Sequence, residues 1–587
     1  MLPMSRSTAF FGVVALTLFS FALRFAGIDY YLPYGRLGDE RVYGEFIQRM
    51  ASDPSTDPGQ FPFYPQLVPR IALLVRTEPR AALTTLEDHL AYAAADLVLV
   101  RRVVAALSVL AVPATYRIAR RFLGRAASLL AAGLTSTSFL GLWYSTQARP
   151  HGAFLALSAL SLLAALEVRR HGGLRAWLLA AIACAAAIGT LQTGVFLLVP
   201  LAVAYLLPPG KRPHRAHFLL LASLALALAA ASVRLYYPFL FTDLGFDADA
   251  SRPLGQHDFL GNLSGNGFAH GLRALWDYDP WLTLCSALGI LVLCGSCIAR
   301  RARGPPVRLR LREWIATPRG GDLVVLSSFV LPLGLVIGLY EYTNPRYILP
   351  FVPLLAVCTA GGFERAALLA ARPPGARSRA WTYAAIAVFA VQALFASALS
   401  VVRTASDTLE RAADWIRSNT ERGQDRIVVT PGIELPLLHG ESGMPWVRLN
   451  QDNPRNLWLA YQNRIDPAVR ASLGSTLLVP LLRTQEDRAL IEKDPELYFE
   501  SVSANYVVLH LPDSQPVYAR IREATHRRGT LVARFSPWRF GSGDERPFLM
   551  YEWSHRSQLT GDWLWHALRA RCLGPVVEIY RLDAQRR

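Results

Sequence analysis

Asp39 and Glu40 are adjacent carboxylates that open the stretch Arg36-Leu-Gly-Asp-Glu-Arg-Val-Tyr-Gly-Glu-Phe-Ile-Gln-Arg-Met50, directly after the first long apolar run. Val42, Phe46, Ile47 and Met50 recur at helical spacing and leave Arg41, Glu45 and Arg49 on the opposite side, which predicts an amphipathic helix. An Asp at this position also suits a helix N-cap. A carboxylate held just outside a bilayer is placed to take a proton from a hydroxyl of a lipid-borne substrate. Two more polar clusters close apolar runs. One is Gln147-Ala-Arg-Pro-His151, with Arg149 and His151. The other is Glu341-Tyr-Thr-Asn-Pro-Arg-Tyr347, with Arg346 and Tyr347. Arginine grips phosphate through charge-assisted hydrogen bonds, and a carboxylate handles a hydroxyl proton. Each arginine taken singly also suits an interfacial anchor that snorkels to the headgroups.

These residues must be positioned by membrane-spanning helices. The chain has 587 residues, 52% hydrophobic and only 18% charged, where a soluble protein carries about 25% charged residues. Eleven apolar segments are read as spans, at 8–27, 98–116, 126–144, 152–166, 176–190, 193–207, 217–240, 281–299, 322–340, 348–363 and 381–402. The net charge of +17 does not point to nucleic acid. Its arginines crowd the short loops between apolar runs, where they set topology. By the positive-inside rule the N-terminus is cytoplasmic. The loops 28–96 and 241–280, and everything after residue 402, are then outside. The first of these loops holds six Arg against ten Asp and Glu. Within it Val68–Val75 reads as a helix on the membrane surface.

After residue 402 no apolar run of spanning length remains. Asp407 and Glu410 have capping-box spacing for a helix to Asn419. Strand-like runs follow at Arg426–Thr430, Asn505–Leu511, Thr530–Phe535, Pro547–Glu552 and Pro575–Leu582, with a helical stretch at 514–528. The expected fold is a polytopic α-helical membrane protein, 1–402, with a soluble α/β or α+β domain, 403–587. Six cysteines show no disulfide framework. Cys294-x-x-Cys297 has redox or metal spacing, but it lies in a span with no second pair, where Cys serves as a small hydrophobe.

The order of motifs resembles the GT-C superfamily of membrane glycosyltransferases, in the branch of the protein O-mannosyltransferases and the lipid A aminoarabinose transferase. Asp39-Glu40 followed by Tyr43 comes first, then Tyr64-Pro-Gln-Leu67. Arg102 opens the second span, and Tyr116-Arg-Ile-Ala-Arg-Arg-Phe-Leu-Gly124 closes it. Ala148-Arg-Pro150 and Pro345-Arg-Tyr-Ile-Leu-Pro350 follow, with Ala504-Asn-Tyr-Val-Val508 and Glu578-Ile-Tyr-Arg-Leu582 in the tail. The resemblance implies an inverting transferase that moves a sugar from a polyprenyl-phosphate donor to an acceptor hydroxyl on a lipid, glycan or protein, at the outer face of a bacterial inner membrane. It implies Asp39 as base with Glu40 beside it. Arg102, Arg149 and Arg346 would lie on the phosphate side, and Tyr64, His151, Tyr347 and His257 would complete the substrate cavity. His151 stands where the family often has Asp or Glu, and Tyr64 where it often has a basic residue. No metal site is therefore carried over, and a divalent metal is left unassigned.

The alternative is a polytopic transporter or flippase of envelope lipids or glycans. Such a protein places charged groups near the bilayer midplane, often in repeated halves. Here the charges gather at the outer ends of the spans, and no internal repeat is evident. A catalytically inactive relative that scaffolds an envelope assembly is a third reading.

Overall fold

The computed structural model describes residues 4–34, 40–52, 65–77, 83–207, 215–236, 263–303, 311–341, 343–370, 376–430, 434–445, 457–481, 484–511, 516–539 and 563–583. All eleven apolar segments are helical across their described residues, apart from short turns. Among the described residues, six helices are long and apolar enough to cross a membrane alone, or eight if each of two bent pairs counts as one span. Three more apolar helices are shorter, at 174–188, 192–206 and 219–233.

The first half builds the frame of the site. Helix α1 (Arg6–Phe25) is followed by α2 (Glu40–Ser52), α3 (Leu67–Leu74), α4 (Leu86–Val109), α5 (Ala111–Ala119), α6 (Arg125–Thr137), α7 (Phe139–Ser145) and α8 (Pro150–His171). A helix, α3, stands where one was expected near Val68–Val75, and α2 is the amphipathic helix read from spacing. Tyr43, Ile47 and Met50 of α2 are buried. Helix α4 starts at a capping box, in which Thr85 Oγ1 accepts from Asp88 N and the Asp88 carboxylate accepts from Thr85 N. That reciprocal pairing satisfies two of the amides every helix start leaves open. Pro150 at the first position of α8 and Gly172 in the left-handed region (φ 61°) at its end fix both ends of that helix.

Helices α6 and α7 form one of the bent pairs, at 49°. The bend frees the first amides of α7, and a neighbouring helix end satisfies them. Asp279 accepts from Phe139 N (2.8 Å), Leu140 N (3.1 Å) and Ser138 Oγ (2.6 Å). The second bent pair, Asn266–Tyr278 with Pro280–Ser296, turns by 118°. Its first helix falls in the stretch 241–280 expected as loop. The amphipathic pattern there is reversed relative to a soluble helix. Phe268, Leu272 and Trp276, four residues apart, are exposed, while Gly267, His270 and Ala274 face the protein. An apolar stripe open to the surroundings suits a helix lying in the membrane interface.

The tail carries a five-stranded sheet, β1 (Arg426–Val429), β2 (Leu477–Pro480), β3 (Tyr506–Leu511), β4 (Gly529–Phe535) and β5 (Val576–Leu582), in the order β2-β1-β3-β5-β4. The first three are parallel, and β5 runs antiparallel to both β3 and β4. Four of these strands coincide with expected runs. The fifth expected run, Pro547–Glu552, lies outside the described residues. β2 lies outside the expected runs, because three apolar residues closed by a proline give no alternation to read. Ile427, Val508, Val577 and Ile579 join one apolar core on one face of the sheet. Val428, Val507 and Leu509 join another on the opposite face.

Beside the sheet, His439 pairs with Thr476 as an isolated bridge, and its amide donates to Gln462 Oε1 (2.8 Å). Burial, and then the charge of Arg470, push its imidazole down to about 4, from an ordinary value of about 6.5. The unfolded chain then binds a proton that the folded chain refuses. Stability is full above pH 6.5 and falls as pH drops toward 4, by up to about 1.4 kcal/mol per pH unit. Thermal unfolding of the full chain in detergent, compared with His439→Gln between pH 7.5 and 4.5, should show a steeper acid loss for the natural protein. Parallel curves would refute this assignment.

Candidate active site

Glu40, the first residue of α2, is 3% exposed and holds a two-pronged ion pair with Arg101 of α4. Arg101 Nε donates to Glu40 Oε1 (2.9 Å), and Nη2 donates to Oε2 (2.7 Å). The remaining nitrogen, Nη1, donates to the carbonyls of Ile28 (2.8 Å) and Tyr30 (2.7 Å), and the guanidinium lies 4.4 Å over the Tyr30 ring. Glu40 Oε1 also accepts from the amide of Ala148, in the turn between α7 and α8. Glu40 and Arg101 thus tie four pieces of chain together: the segment after α1, the start of α2, α4 and the turn 146–149. A buried pair with matched hydrogen bonds on both partners holds geometry that a surface pair does not.

That turn carries the second cluster. Arg149 caps α8 and is fully buried, and its amide donates to Gln147 O (2.8 Å). The turn can be this tight because Gly152 lies against α7. A Cβ there would stand 2.6 Å from Ser145 Cα and 2.9 Å from Tyr144 O. The third cluster is the 3-10 turn Pro345–Phe351, whose start is capped by Asn344 Oδ1 accepting from Arg346 N (3.3 Å). The Arg346 guanidinium lies 5.5 Å from the Tyr347 ring centre, and the Tyr347 and His151 rings are 5.9 Å apart. Arg149 and His151 flank Pro150 at the start of α8. The structure therefore brings Arg149, His151, Arg346 and Tyr347 into one group, beside the turn that Glu40 clasps.

Arg102 is not in this group. It is exposed on the other side of α4, on the wall of a cavity of about 1220 Å³. That cavity lies between the segment after α1, α4 and the start of the tail, and is lined by Tyr30, Tyr34, Arg403, Asp407 and Tyr461 among others. Asp39, Tyr64 and His257 lie outside the described residues.

Two basic residues matter that the sequence reading passed over. Arg101 was hidden by its neighbour. Leu97, Val100, Val104 and Ser108 are all buried on α4, and helical spacing puts position 101 on their face and 102 on the other. Arg403, at the end of the last span, is 2% exposed and sits on the wall of the large cavity. Its Nη2 donates to Leu23 O and Ser400 Oγ, while Nε and Nη1 have no hydrogen-bond partner among the described residues. The Arg403 carbonyl touches Gly27 (φ 57°), where a Cβ would approach to 2.4 Å, so the ends of the first and last spans are in direct contact. A basic residue ending a final apolar run is the only signal that could have marked Arg403. Among the described residues no group of three His, Cys, Asp or Glu side chains is placed to hold a metal ion.

Residues 93–237 match the sequence profile of a family described as dolichyl-phosphate-mannose-protein mannosyltransferase. The matched stretch contains Arg101, Arg149 and His151, and in it the chain resembles the GT-C membrane glycosyltransferases. No curated protein matches the chain in sequence. Among solved structures, it is similar to the archaeal oligosaccharyltransferase AglB from Archaeoglobus fulgidus, in complex with an inhibitory peptide and a dolichol-phosphate. The identity is 13%, 90% of this chain and 73% of that chain are covered, and the TM-score is 0.45. ArnT from Cupriavidus metallidurans, bound to undecaprenyl phosphate, aligns at 12% identity over 90% of this chain and 97% of that chain, with a TM-score of 0.42. The protein O-mannosyltransferase Pmt1-Pmt2 complex of S. cerevisiae, bound to the sugar donor, aligns at 18% identity over 42% of this chain and 34% of that chain, with a TM-score of 0.30.

Proposed function

We propose that this protein is an inverting glycosyltransferase that moves a sugar from a polyprenyl-phosphate donor to an acceptor hydroxyl at the outer face of a bacterial inner membrane. In this reading residues 1–402 form the transferase body, with a cytoplasmic N-terminus, and residues 403–587 form a domain outside. The observation that carries the reading is the clasp of Glu40 on Arg101 and the Ala148 amide. It fastens the start of α2 to the turn bearing Arg149 and His151, with Arg346 and Tyr347 alongside. Asp39 is the residue immediately before Glu40 in the chain.

The chemistry then divides among named groups. Asp39 takes the proton of the acceptor hydroxyl as its oxygen attacks C1 of the sugar. The bond from C1 to the phosphate oxygen breaks, and polyprenyl phosphate leaves with both electrons. Arg149 and Arg346 offset the charge that grows on the departing phosphate, in a site where a fixed cation acts more strongly than in water. Tyr347 and His151 are proposed to contact the substrate beside them, and Tyr64 and His257 to add polar contacts. Glu40 acts through position: its oxygens are committed to Arg101 and Ala148. No step is assigned to a metal.

The test is transfer of a labelled sugar from a synthetic polyprenyl-phospho-sugar by the purified protein in liposomes. Arg149→Ala and Arg346→Ala should each slow transfer by about a hundredfold to a thousandfold, the range for removing one transition-state donor. Arg102→Ala should have a smaller effect than either. Unchanged transfer in both Arg149→Ala and Arg346→Ala would remove the phosphate role from this cluster.

A further inference from the structure

The tail holds a second place where chemistry is concentrated, far along the chain from the clasp. Strands β1 and β3 are parallel neighbours, yet the chain leaves them toward opposite faces of the sheet. After β1 it passes through the helix Leu457–Gln462, whose Trp458 joins the core containing Ile427 and Val508. After β3 it enters the helix Pro516–Arg528, whose Val517, Ile521 and Ala524 join the core containing Val428 and Val507. With the order β2-β1-β3 this makes a topological switch point, where open α/β sheets form a crevice beyond the carboxyl ends of the strands.

A cavity of about 260 Å³ lies there. Thr430 follows β1 directly, and His510 is near the end of β3. Tyr518, Arg522, Glu523 and His526 come from the helix on the far wall. Thr430 Oγ1 and His510 Nδ1 are 3.1 Å apart, and Thr430 Oγ1 also donates to Val508 O (3.1 Å), which locks the rim of β1 to β3. His526 Nε2 is 2.9 Å from Tyr580 OH, so the far wall is tied to the next strand, β5. The wall carries one guanidinium and two imidazoles against one carboxylate, with two hydroxyls between them. The volume lies just below the range of drug-sized ligand pockets, which start near 300 Å³, and so suits a single small unit.

We propose that this crevice binds a single sugar unit bearing an oxyanion. Arg522 grips the phosphate or carboxylate, with His510 and His526 beside it, and Thr430, Tyr518 and Glu523 meet the hydroxyls. Arginine is suited to the oxyanion because its fork gives two charge-assisted hydrogen bonds. The Glu523 carboxylate, on the same helix and also paired with Arg527 (2.9 Å), accepts from sugar hydroxyls and repels a bare dianion, so the polyol is part of what is recognised. The proposal stands apart from the transfer chemistry, and either can fail without the other.

The experiment is titration calorimetry on the full chain in detergent with four probes: glucose 1-phosphate, glucuronate, inorganic phosphate and glucose. At least one of the two charged sugars should saturate with a Kd below about 1 mM, and which one binds tells phosphate from carboxylate. Glucose and inorganic phosphate should bind at least about tenfold more weakly, since each lacks one set of charge-assisted or hydroxyl hydrogen bonds. Arg522→Gln should weaken the charged sugar by about tenfold or more. Thr430→Val should weaken it too, with circular dichroism unchanged in both. If Arg522→Gln fails to fold, His526→Gln from the same wall replaces it. The proposal is overturned if no probe saturates, if inorganic phosphate binds as well as either charged sugar, or if the variants bind like the natural protein.

Discussion

Asp39→Asn is expected to fold and insert normally and to lose sugar transfer by about a hundredfold to ten-thousandfold, the usual effect of removing a general base. The substitution keeps the size of the side chain and its capacity to cap α2, since Asn caps a helix about as well as Asp. What it removes is the basic oxygen. Stability should therefore stay within a few tenths of a kcal/mol while kcat falls, and the affinity for the lipid-linked donor should hold, because the phosphate is assigned to Arg149 and Arg346. Transfer from a synthetic polyprenyl-phospho-sugar in liposomes, paired with thermal unfolding in detergent, reads both quantities. Near-normal transfer by the folded Asp39→Asn protein would place the chemistry elsewhere. The same assay separates an enzyme from a transporter, which moves lipid without forming a glycosidic bond.

Much of the frame was legible because a membrane span announces itself by length and apolarity. The eleven apolar segments are helical where the structure describes them, although α4 begins at Leu86, twelve residues before the span expected from 98. The bends were not legible. Nothing local marks the break between Thr137 and Phe139, because the group that satisfies the freed amides, Asp279, lies about 140 residues on. The gathering of Arg149, His151, Arg346 and Tyr347 was readable from arginine placement and topology together. Which arginine of the Arg101-Arg102 pair faces inward was also in the sequence, in the burial rhythm of α4, but family motif order drew attention to Arg102 instead. In the tail, β1, β3, β4 and β5 stood out through β-branched and aromatic residues. β2 is too short for a period to show, and without β2 the switch point between β1 and β3 cannot be seen.

Arg101 is expected to be the most damaging single position outside the chemistry itself. Arg101→Met keeps most of the side-chain volume and removes the charge. Glu40 then remains buried with only the Ala148 amide, and the carbonyls of Ile28 and Tyr30 lose their donor. Breaking one partner of a buried ion pair costs about 3–5 kcal/mol, a large share of the 5–15 kcal/mol by which a typical domain is stable. Arg102→Met, one residue away but exposed, should change stability by less than about 0.5 kcal/mol. Glu40→Gln alone should also destabilise, because it strands the Arg101 cation. Glu40→Gln combined with Arg101→Met removes both charges and should recover part of the loss, so the double variant should be more stable than the two single effects added together. Transfer should follow the same order, because the clasp fixes where α2 begins and hence where Asp39 stands. Thermal unfolding and transfer rates for the four variants measure this cycle. If Arg101→Met and Arg102→Met prove equally mild, the clasp does not hold the site. If the double variant loses as much as the sum of the singles, Glu40 and Arg101 act separately rather than as a pair.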